Sequence, residues 1–345
     1  MVRVALDVMG SDDGPDATVA GAAAVSLGEA SPEILLVGHE EAIRDALARH
    51  PHRAERLRVH AASQVVTSAD TPASALAERP DASVLVAARL VAGGEADVLV
   101  SAGNTGAVTL ACARSFARLE GVARAGLGAV VPTARRHGDR RDPFTLLLDA
   151  GLTLEPTADD LVAFAIMGAA YARVVSKNPR PTVALLSNGA EATKGTTAIV
   201  EAHARLRARA SARPDDLEFL GNIEGMDLVQ GAADVVVTGG FTGNIALKML
   251  EGVNETLSRV VAGVAERRWR YAAGLWLLGP AVRRLRDATD WQQYGGVPIL
   301  GFDRLCIKAH GRSTPRAIAN ALKVATRTAR EGLVDGIRSA LGARS

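Results

Sequence analysis

Cysteine is almost missing from this chain. Cys112 and Cys306 are the only two, and neither has Cys or His nearby at ligand spacing, so neither a disulfide framework nor a zinc site is indicated. Both are expected to be buried core thiols. Neither sign of charge is in excess: 40 Lys and Arg against 38 Asp and Glu leave a formal charge of +2, too balanced to call for a nucleic-acid partner. Low-complexity tracts and long structureless linkers are absent, which excludes a mainly disordered chain. The first residues, Met1-Val2-Arg3-Val4-Ala5-Leu6-Asp7, form a strand pattern that turns polar too early for a signal peptide, so a cytoplasmic protein is expected. No Gly-x-Gly-x-x-Gly follows that first strand, which weighs against a dinucleotide site.

What is present is alternation. Short Val- and Leu-rich runs alternate with longer Ala-rich amphipathic stretches, the pattern of an α/β fold with a mainly parallel sheet covered by helices on both faces. Strands are expected at residues 2–6, 34–37, 57–61, 98–100, 145–148, 183–186 and 235–238, and helices at 73–92, 107–119, 159–175 and 194–209. One α/β domain over residues 1–345 accommodates them. Asp7, Ser101, Asp149, Ser187 and Thr238 then fall at carboxyl ends of strands, where open α/β sheets bind ligands, and they are expected on one rim.

Two stretches nearly repeat each other. Ala96-Asp97-Val98-Leu99-Val100-Ser101-Ala102-Gly103-Asn104-Thr105-Gly106 aligns with Ala233-Asp234-Val235-Val236-Val237-Thr238-Gly239-Gly240-Phe241-Thr242-Gly243, with seven of eleven positions identical. Each reads as a strand, a turn of Gly and Thr, and a helix start. Glycine admits a close ligand, the hydroxyl adds a donor, and unpaired amides at a helix N-terminus favour an anion such as phosphate. The alternative is two ordinary strand-to-helix turns.

Residues 266–294 break the alternation. All three tryptophans lie there, together with Arg267, Arg268, Arg270, Arg283, Arg284 and Arg286. Residues 253–293 are expected to form a helical hairpin whose apolar tip is Leu275, Trp276, Leu277 and Leu278. An apolar tip in a basic collar has the composition of an interfacial anchor on an anionic membrane, and it is too short to span one. Packing against a second subunit is the other reading.

The chain also resembles the acyl-carrier-protein:phosphate acyltransferases, the PlsX family of bacterial phospholipid synthesis. The resemblance covers most of the chain. It is carried by Leu6-Asp7-Val8-Met9-Gly10 with Asp12, by Ser101-Ala102-Gly103-Asn104-Thr105-Gly106-Ala107, and by Phe164-Ala165-Ile166-Met167-Gly168. It continues through Lys194-Gly195, Gly221-Asn222-Ile223-Glu224-Gly225, Gly240-Phe241-Thr242-Gly243-Asn244 with Lys248, Tyr294-Gly295-Gly296-Val297-Pro298 and Ala309-His310-Gly311. Departures from the family pattern are Ser11 for a Gly, Asp13 for a His, Ala82 for the first of two Ser, Gly151-Leu152-Thr153 for Gly-Ala-Asn, Ser187 for Asn, Ala190 for Glu and Gly239 for Asp.

The resemblance implies a three-layer Rossmann-like sandwich similar to the isocitrate and isopropylmalate dehydrogenases, a homodimer, and peripheral membrane attachment through the hairpin. It implies transfer of an acyl group from acyl carrier protein to inorganic phosphate, without a cofactor or metal. Such a reaction depends on holding a dianion beside a carbonyl and stabilising the oxyanion, because the thiol leaves readily. Lys194, Asn244 and His310 are then the catalytic candidates. Asp7, Asp12, Ser101, Gly103, Asn104, Thr105, Gly106, Gly240, Thr242 and Gly243 are the candidates for the phosphate and substrate site. Arg79 and Lys248 are expected to guide the acidic carrier protein. Three alternatives stay open: a phosphate acyltransferase using acyl-CoA, a nicotinamide-dependent dehydrogenase of similar fold, and a membrane scaffold that binds carrier protein without turnover.

Overall fold

The computed structural model describes residues 1–12, 14–133, 144–267 and 295–342, with positions 270, 274, 278 and 279. Among the described residues, eleven strands form one sheet: β1 (Arg3–Asp7), β2 (Glu33–Gly38), β3 (Leu57–Ala61), β4 (Val98–Ser101), β5 (Gly126–Pro132), β6 (Phe144–Leu148), β7 (Thr182–Leu186), β8 (Glu218–Ile223), β9 (Val235–Val237), β10 (Val297–Leu300) and β11 (Leu305–Lys308). Their order is β3-β2-β1-β4-β11-β10-β5-β6-β9-β7-β8. Neighbours pair parallel except at β11–β10, β10–β5 and β5–β6, which are antiparallel.

Those three central reversals have a consequence for the site. The strands β3, β2, β1, β4 and β11 run one way, and β6, β9, β7 and β8 run the other. The carboxyl ends therefore form two opposed edges, not the single rim expected from the sequence. Strand polarity was inferred correctly within each half, but β5, β8, β10 and β11 were not anticipated, and two of these carry the reversals. The register brings the edges together all the same. Ile299 of β10 sits beside Leu127 of β5, and Leu148 at the end of β6 sits beside Gly128. Both carboxyl edges thus meet within a few residues along β5.

Side-chain alternation along the strands distributes the core. Val4, Leu6, Val98, Val100, Leu146, Leu148, Val183 and Leu185 point to one face, where they join α1 (Pro15–Ser26), α6 (Ala158–Val175) and α10 (Pro315–Arg330) in a single continuous core. The other face is split. Ala5, Leu35, Leu99 and Cys306 pack with α4 (Ser83–Ala92) and α5 (Thr105–Ser115), while Leu147, Ala184 and Val236 pack with α8 (Gly225–Gln230) and α9 (Gly240–Arg267) in a separate cluster. Leu127 touches both clusters. The gap between them lies over β5 and β10.

The helices differ from expectation where proline or a cap intervenes. The stretch 73–92 is two helices, α3 (Pro72–Glu78) and α4, because Pro80 cannot supply an amide to a continuous helix. Helix α5 starts at Thr105 because Asn104 caps it. Helix α7 (Thr197–Ala212) starts after the Thr196 cap, which leaves Lys194 in a loop. Cys112 and Cys306 are buried, as expected.

Candidate functional site

The repeated sequence builds matching strands with different turns. Its aspartate does the same work in both copies: Asp97 accepts the backbone N–H of Arg3 at 2.8 Å, and Asp234 accepts that of Thr182 at 2.7 Å. Each thereby ties the start of an adjacent strand. Beyond the strands the copies diverge.

In the first turn, the Ser101 hydroxyl donates to Asp7 Oδ2 at 2.6 Å and accepts the Gly103 N–H at 3.0 Å. Ser83 donates to Asp7 Oδ1 at 2.7 Å, so the single serine left in that sequence pair suffices. Burial pushes the Asp7 carboxyl above its ordinary value, against the two hydroxyl bonds that favour the charge. The loop after β1 lies hard against this turn, since a Cβ on Gly10 would sit 2.7 Å from both Asp7 Oδ2 and Gly103 Cα. Asp7 and Ser101 therefore shape the turn from beneath. Asn104 Oδ1 accepts from Gly106 N at 2.9 Å and Ala107 N at 3.2 Å. The amides expected to meet an anion at this helix start are taken by the cap.

The second turn is packed against a loop. Asp149 accepts the N–H groups of Leu127, Gly151, Leu152 and Thr153, and burial pushes its carboxyl up. Gly240 donates to Thr153 O at 2.8 Å and Phe241 to Leu154 O at 3.4 Å, so these amides too are engaged within the chain. A Cβ on Gly243 would lie 1.9 Å from the Asp149 carbonyl oxygen, and one on Gly239 would lie 2.8 Å from Pro156 Cδ. Glycine at both places is a packing requirement. Two equivalent helix-terminal anion sites are therefore not what the repeat forms.

A cleft of about 340 Å³ fills the gap in the split face. From the first half it takes Asp12, Ser68, Gly103, Asn104, Thr105, Lys308, His310 and Gly311, from the second Ala150, Asn244, Leu247, Lys248 and Glu251, with β5 and Val297 as floor. It thus unites seven of the expected residues: Asp12, Gly103, Asn104, Thr105, Asn244, Lys248 and His310. Asp7, Ser101, Gly106, Gly240, Thr242 and Gly243 are not in its wall. Lys194 is exposed on the loop after β7 and is also outside that wall, its carbonyl held by Asn222 Nδ2 at 3.3 Å.

The two residues expected to guide a partner are engaged within the chain. Arg79 reaches Asp70 at 2.8 Å and the Val65 carbonyl at 2.7 Å, and the guanidinium holds the Asp70 carboxyl well below the usual range. It clamps the loop that brings Ser68 to the cleft. Lys248 pairs with Glu251 at 2.8 Å, inside the cleft mouth. At the tip of the expected hairpin, Leu275, Trp276 and Leu277 lie outside the described residues, as does Asp13, while Leu278 is 58% exposed. No helix among the described residues is long and apolar enough to cross a membrane.

Two features escaped the sequence reading. Lys308, at the end of β11, is only 7% exposed yet lines the cleft. Burial, with the nearby cation Lys248, lowers its pKa to about 8, against the attraction of Cys306, Asp12 and Asp7. The signal available was an apolar strand, Leu305-Cys306-Ile307, ending in a lysine just before Ala309-His310-Gly311. The second is a trough of about 520 Å³ along α9 and β5, lined by Val130, Val131, Pro132, Val229, Leu247 and Leu250, with Glu251, Asn254, Glu255, His310 and Arg312 at its edges. Cleft and trough share Val130, Leu247, Glu251 and His310. Burial and the nearby cations Lys248, Lys308 and Arg312 push His310 below its ordinary value, against Glu251, so its neutral form predominates at neutral pH.

Cleft and trough thus set two lysines, Lys248 and Lys308, with the carboxylates Asp12 and Glu251, beside an apolar strip of Val130, Val131, Leu247 and Leu250. That arrangement suits an anion meeting the head of a long apolar chain. The sequence model of the family described as "Fatty acid synthesis protein" matches residues 2–335. A phosphate acyltransferase of Myxococcus xanthus (strain DK1622) is 41% identical over 345 residues, covering 99% of this chain and 94% of that one. One of Geobacter sp. (strain M21) is 37% identical over 332 residues, covering 96% and 90%. Among solved structures, a phosphotransacetylase from Streptococcus pyogenes superposes with a TM-score of 0.63 at 16% identity, covering 96% of this chain and 94% of that one. At that identity the likeness is one of fold.

Proposed function

This chain belongs to the phosphate acyltransferase family, whose sequence model is that of fatty acid synthesis proteins, and on that premise we propose that it moves a fatty acyl group from acyl carrier protein to inorganic phosphate. The product is an acyl phosphate, the acyl donor for glycerol-3-phosphate in phospholipid synthesis. The observation that supports this reading is the continuity of the lysine-bearing cleft with the strip of Val130, Val131, Leu247 and Leu250 in the trough. Phosphate and the thioester carbonyl occupy the cleft, where Asn104, Thr105, Asn244 and Lys248 are the donors within reach. The acyl chain lies along Val130, Val131, Leu247 and Leu250. His310, neutral at physiological pH, serves as a hydrogen-bonding group to phosphate. Lys194 stays a catalytic candidate on its motif alone. Kinship of fold with the isocitrate and isopropylmalate dehydrogenases belongs to the same reading, supported by the sheet of two opposed halves.

Homodimerisation and membrane attachment complete the proposal. Phe241, Ile245, Met249 and Val253 recur every fourth residue along α9 and are 61%, 45%, 64% and 63% exposed, an apolar stripe suited to a second copy. The basic, Trp-bearing segment 266–294 suits an anionic bilayer surface. The deciding experiment is formation of hydroxylamine-trappable acyl phosphate from acyl-ACP and phosphate by the purified protein. Equal or faster formation from acyl-CoA would remove the carrier protein from the reading; no product from either thioester would remove the reaction.

A further inference from the structure

Resting on the reading above, we propose that Lys308 is the proton carrier of the cleft: its ammonium holds the attacking phosphate and then protonates the thiolate that leaves. Along β11, Leu305 and Ile307 face the continuous core and Cys306 faces the split side. By the same alternation Lys308 faces the split side, where it lines the cleft beside Ala309 and His310. Its neighbours in register are Ser101 on β4 and Val297 on β10, which sets it next to the first turn.

The surroundings leave this cation incomplete. Its Nζ donates to the carbonyl of Ala309, and among the described residues it forms no ion pair. Asp7 and Asp12 attract it from beyond ion-pair distance, and Asp7 is occupied by two serine hydroxyls. A buried ammonium without a paired anion is costly, and a phosphate dianion in the cleft supplies the missing charge. Its pKa of about 8 lies close to that of an alkyl thiol, about 8 to 9, the matched condition for proton transfer at neutral pH.

The step balances without an added reagent. An oxygen of hydrogen phosphate forms a bond to the thioester carbonyl carbon, and the carbon–sulfur bond breaks with its electron pair on sulfur. The Lys308 ammonium gives that sulfur a proton. The free amine then takes the proton left on the phosphate moiety, which restores the ammonium. The reaction's only net proton movement is from phosphate to thiol, and one lysine accomplishes it.

The test compares an alkyl thioester (acyl-ACP) with an aryl thioester, whose thiolate leaves without protonation. Lys308→Met is expected to lower kcat on acyl-ACP about a hundredfold and to weaken binding of inorganic phosphate at least about tenfold. Lys308→Arg keeps the charge but cannot release a proton, so phosphate binding recovers and kcat on acyl-ACP does not. With the aryl thioester, kcat of Lys308→Arg approaches that of the wild type. For the wild type, kcat/KM for phosphate is expected to fall above pH 8, where free Lys308 loses its proton, and that fall disappears in Lys308→Arg. Equal kcat for Lys308→Arg and wild type on acyl-ACP, or equal losses on both thioesters, overturns the assignment. A wild-type protein that makes no acyl phosphate from either thioester instead overturns the functional reading, and this inference with it.

Discussion

The two copies of the repeated strand and turn share seven of eleven residues and yet do different things. The first turn, after β4, presents Gly103, Asn104 and Thr105 to the cleft while Asp7 and Ser101 shape it from beneath. The second, after β9, spends its glycines and first amides on the loop that follows Asp149, and only its next residue, Asn244, reaches the cleft. Some shared residues set strand pairing, the aspartate that ties a neighbouring strand and the buried valines, but Gly103 and Thr105 line the cleft while their counterparts Gly240 and Thr242 do not. What each turn packs against decides what it faces. Likeness of local sequence is therefore evidence of likeness in local backbone, and says less about ligand contact.

The largest test of this difference is at glycine. Gly243→Ala places a Cβ 1.9 Å from a backbone oxygen, whereas at Gly103 the nearest atom is the Ser101 hydroxyl at 3.2 Å. Gly243→Ala is expected to cost about 3 kcal/mol or more in urea unfolding, and Gly103→Ala about 1 kcal/mol. Equal costs would mean that the two turns are packed alike.

The next test is at the two asparagines. Asn104→Ala removes a helix cap and is expected to cost about 1 kcal/mol of stability. Asn244→Ala, on the exposed start of α9, is expected to leave the unfolding midpoint close to wild type and lower turnover at least about tenfold. A stability loss at Asn244 to match that at Asn104 would erase the contrast. Lys194→Ala is also expected to lower turnover at least about tenfold, and near wild-type rates would take this loop lysine out of the mechanism.

Charge gives a third contrast, because only the first turn has a buried ammonium beside it. Lys308 holds its proton less tightly in the folded state, with a pKa of about 8 against an ordinary value of 10.5. Between those values the unfolded chain binds more protons, so stability rises with pH through this window. Chemical denaturation of wild type and Lys308→Met across pH 7–11 is expected to show the rise in wild type alone, and saturating phosphate is expected to flatten it. The smallest effect on the single chain is expected at the α9 stripe. Met249→Glu should leave its melting temperature close to unchanged while shifting sedimentation from dimer to monomer; an unaltered dimer would place the interface elsewhere.

Much of the scaffold was legible residue by residue. The run Leu57-Arg58-Val59-His60-Ala61 is strand β3 to the residue, and the helix expected at 159–175 is α6 to within one residue, its start set by a capping box of Thr157 and Asp160. The missed strands had weaker local signals. β5 is Gly126-Leu127-Gly128-Ala129-Val130-Val131-Pro132, with two glycines and a proline, and β10 contains Pro298. Both qualify as strands through their neighbours. Seven of the residues lining the cleft carry motifs that mark them in the sequence, whereas nothing local marks Lys308, because a lysine at a strand end is ordinarily solvated and its burial is set by distant residues.

The sequence by itself determined seven of the eleven described strands, several of the helices, the alternation that sorts side chains between two faces, and the family, since periodicity and ordered motifs are local properties. Tertiary structure decided where these pieces meet. The reversals at β10 and β5 set the two carboxyl edges in opposition, the stagger along β5 brings them together again, and the split core leaves the gap that becomes the cleft. Burial of Lys308 and the continuity of cleft with trough follow from that arrangement, because desolvation and cavity shape depend on residues that are far apart in the chain.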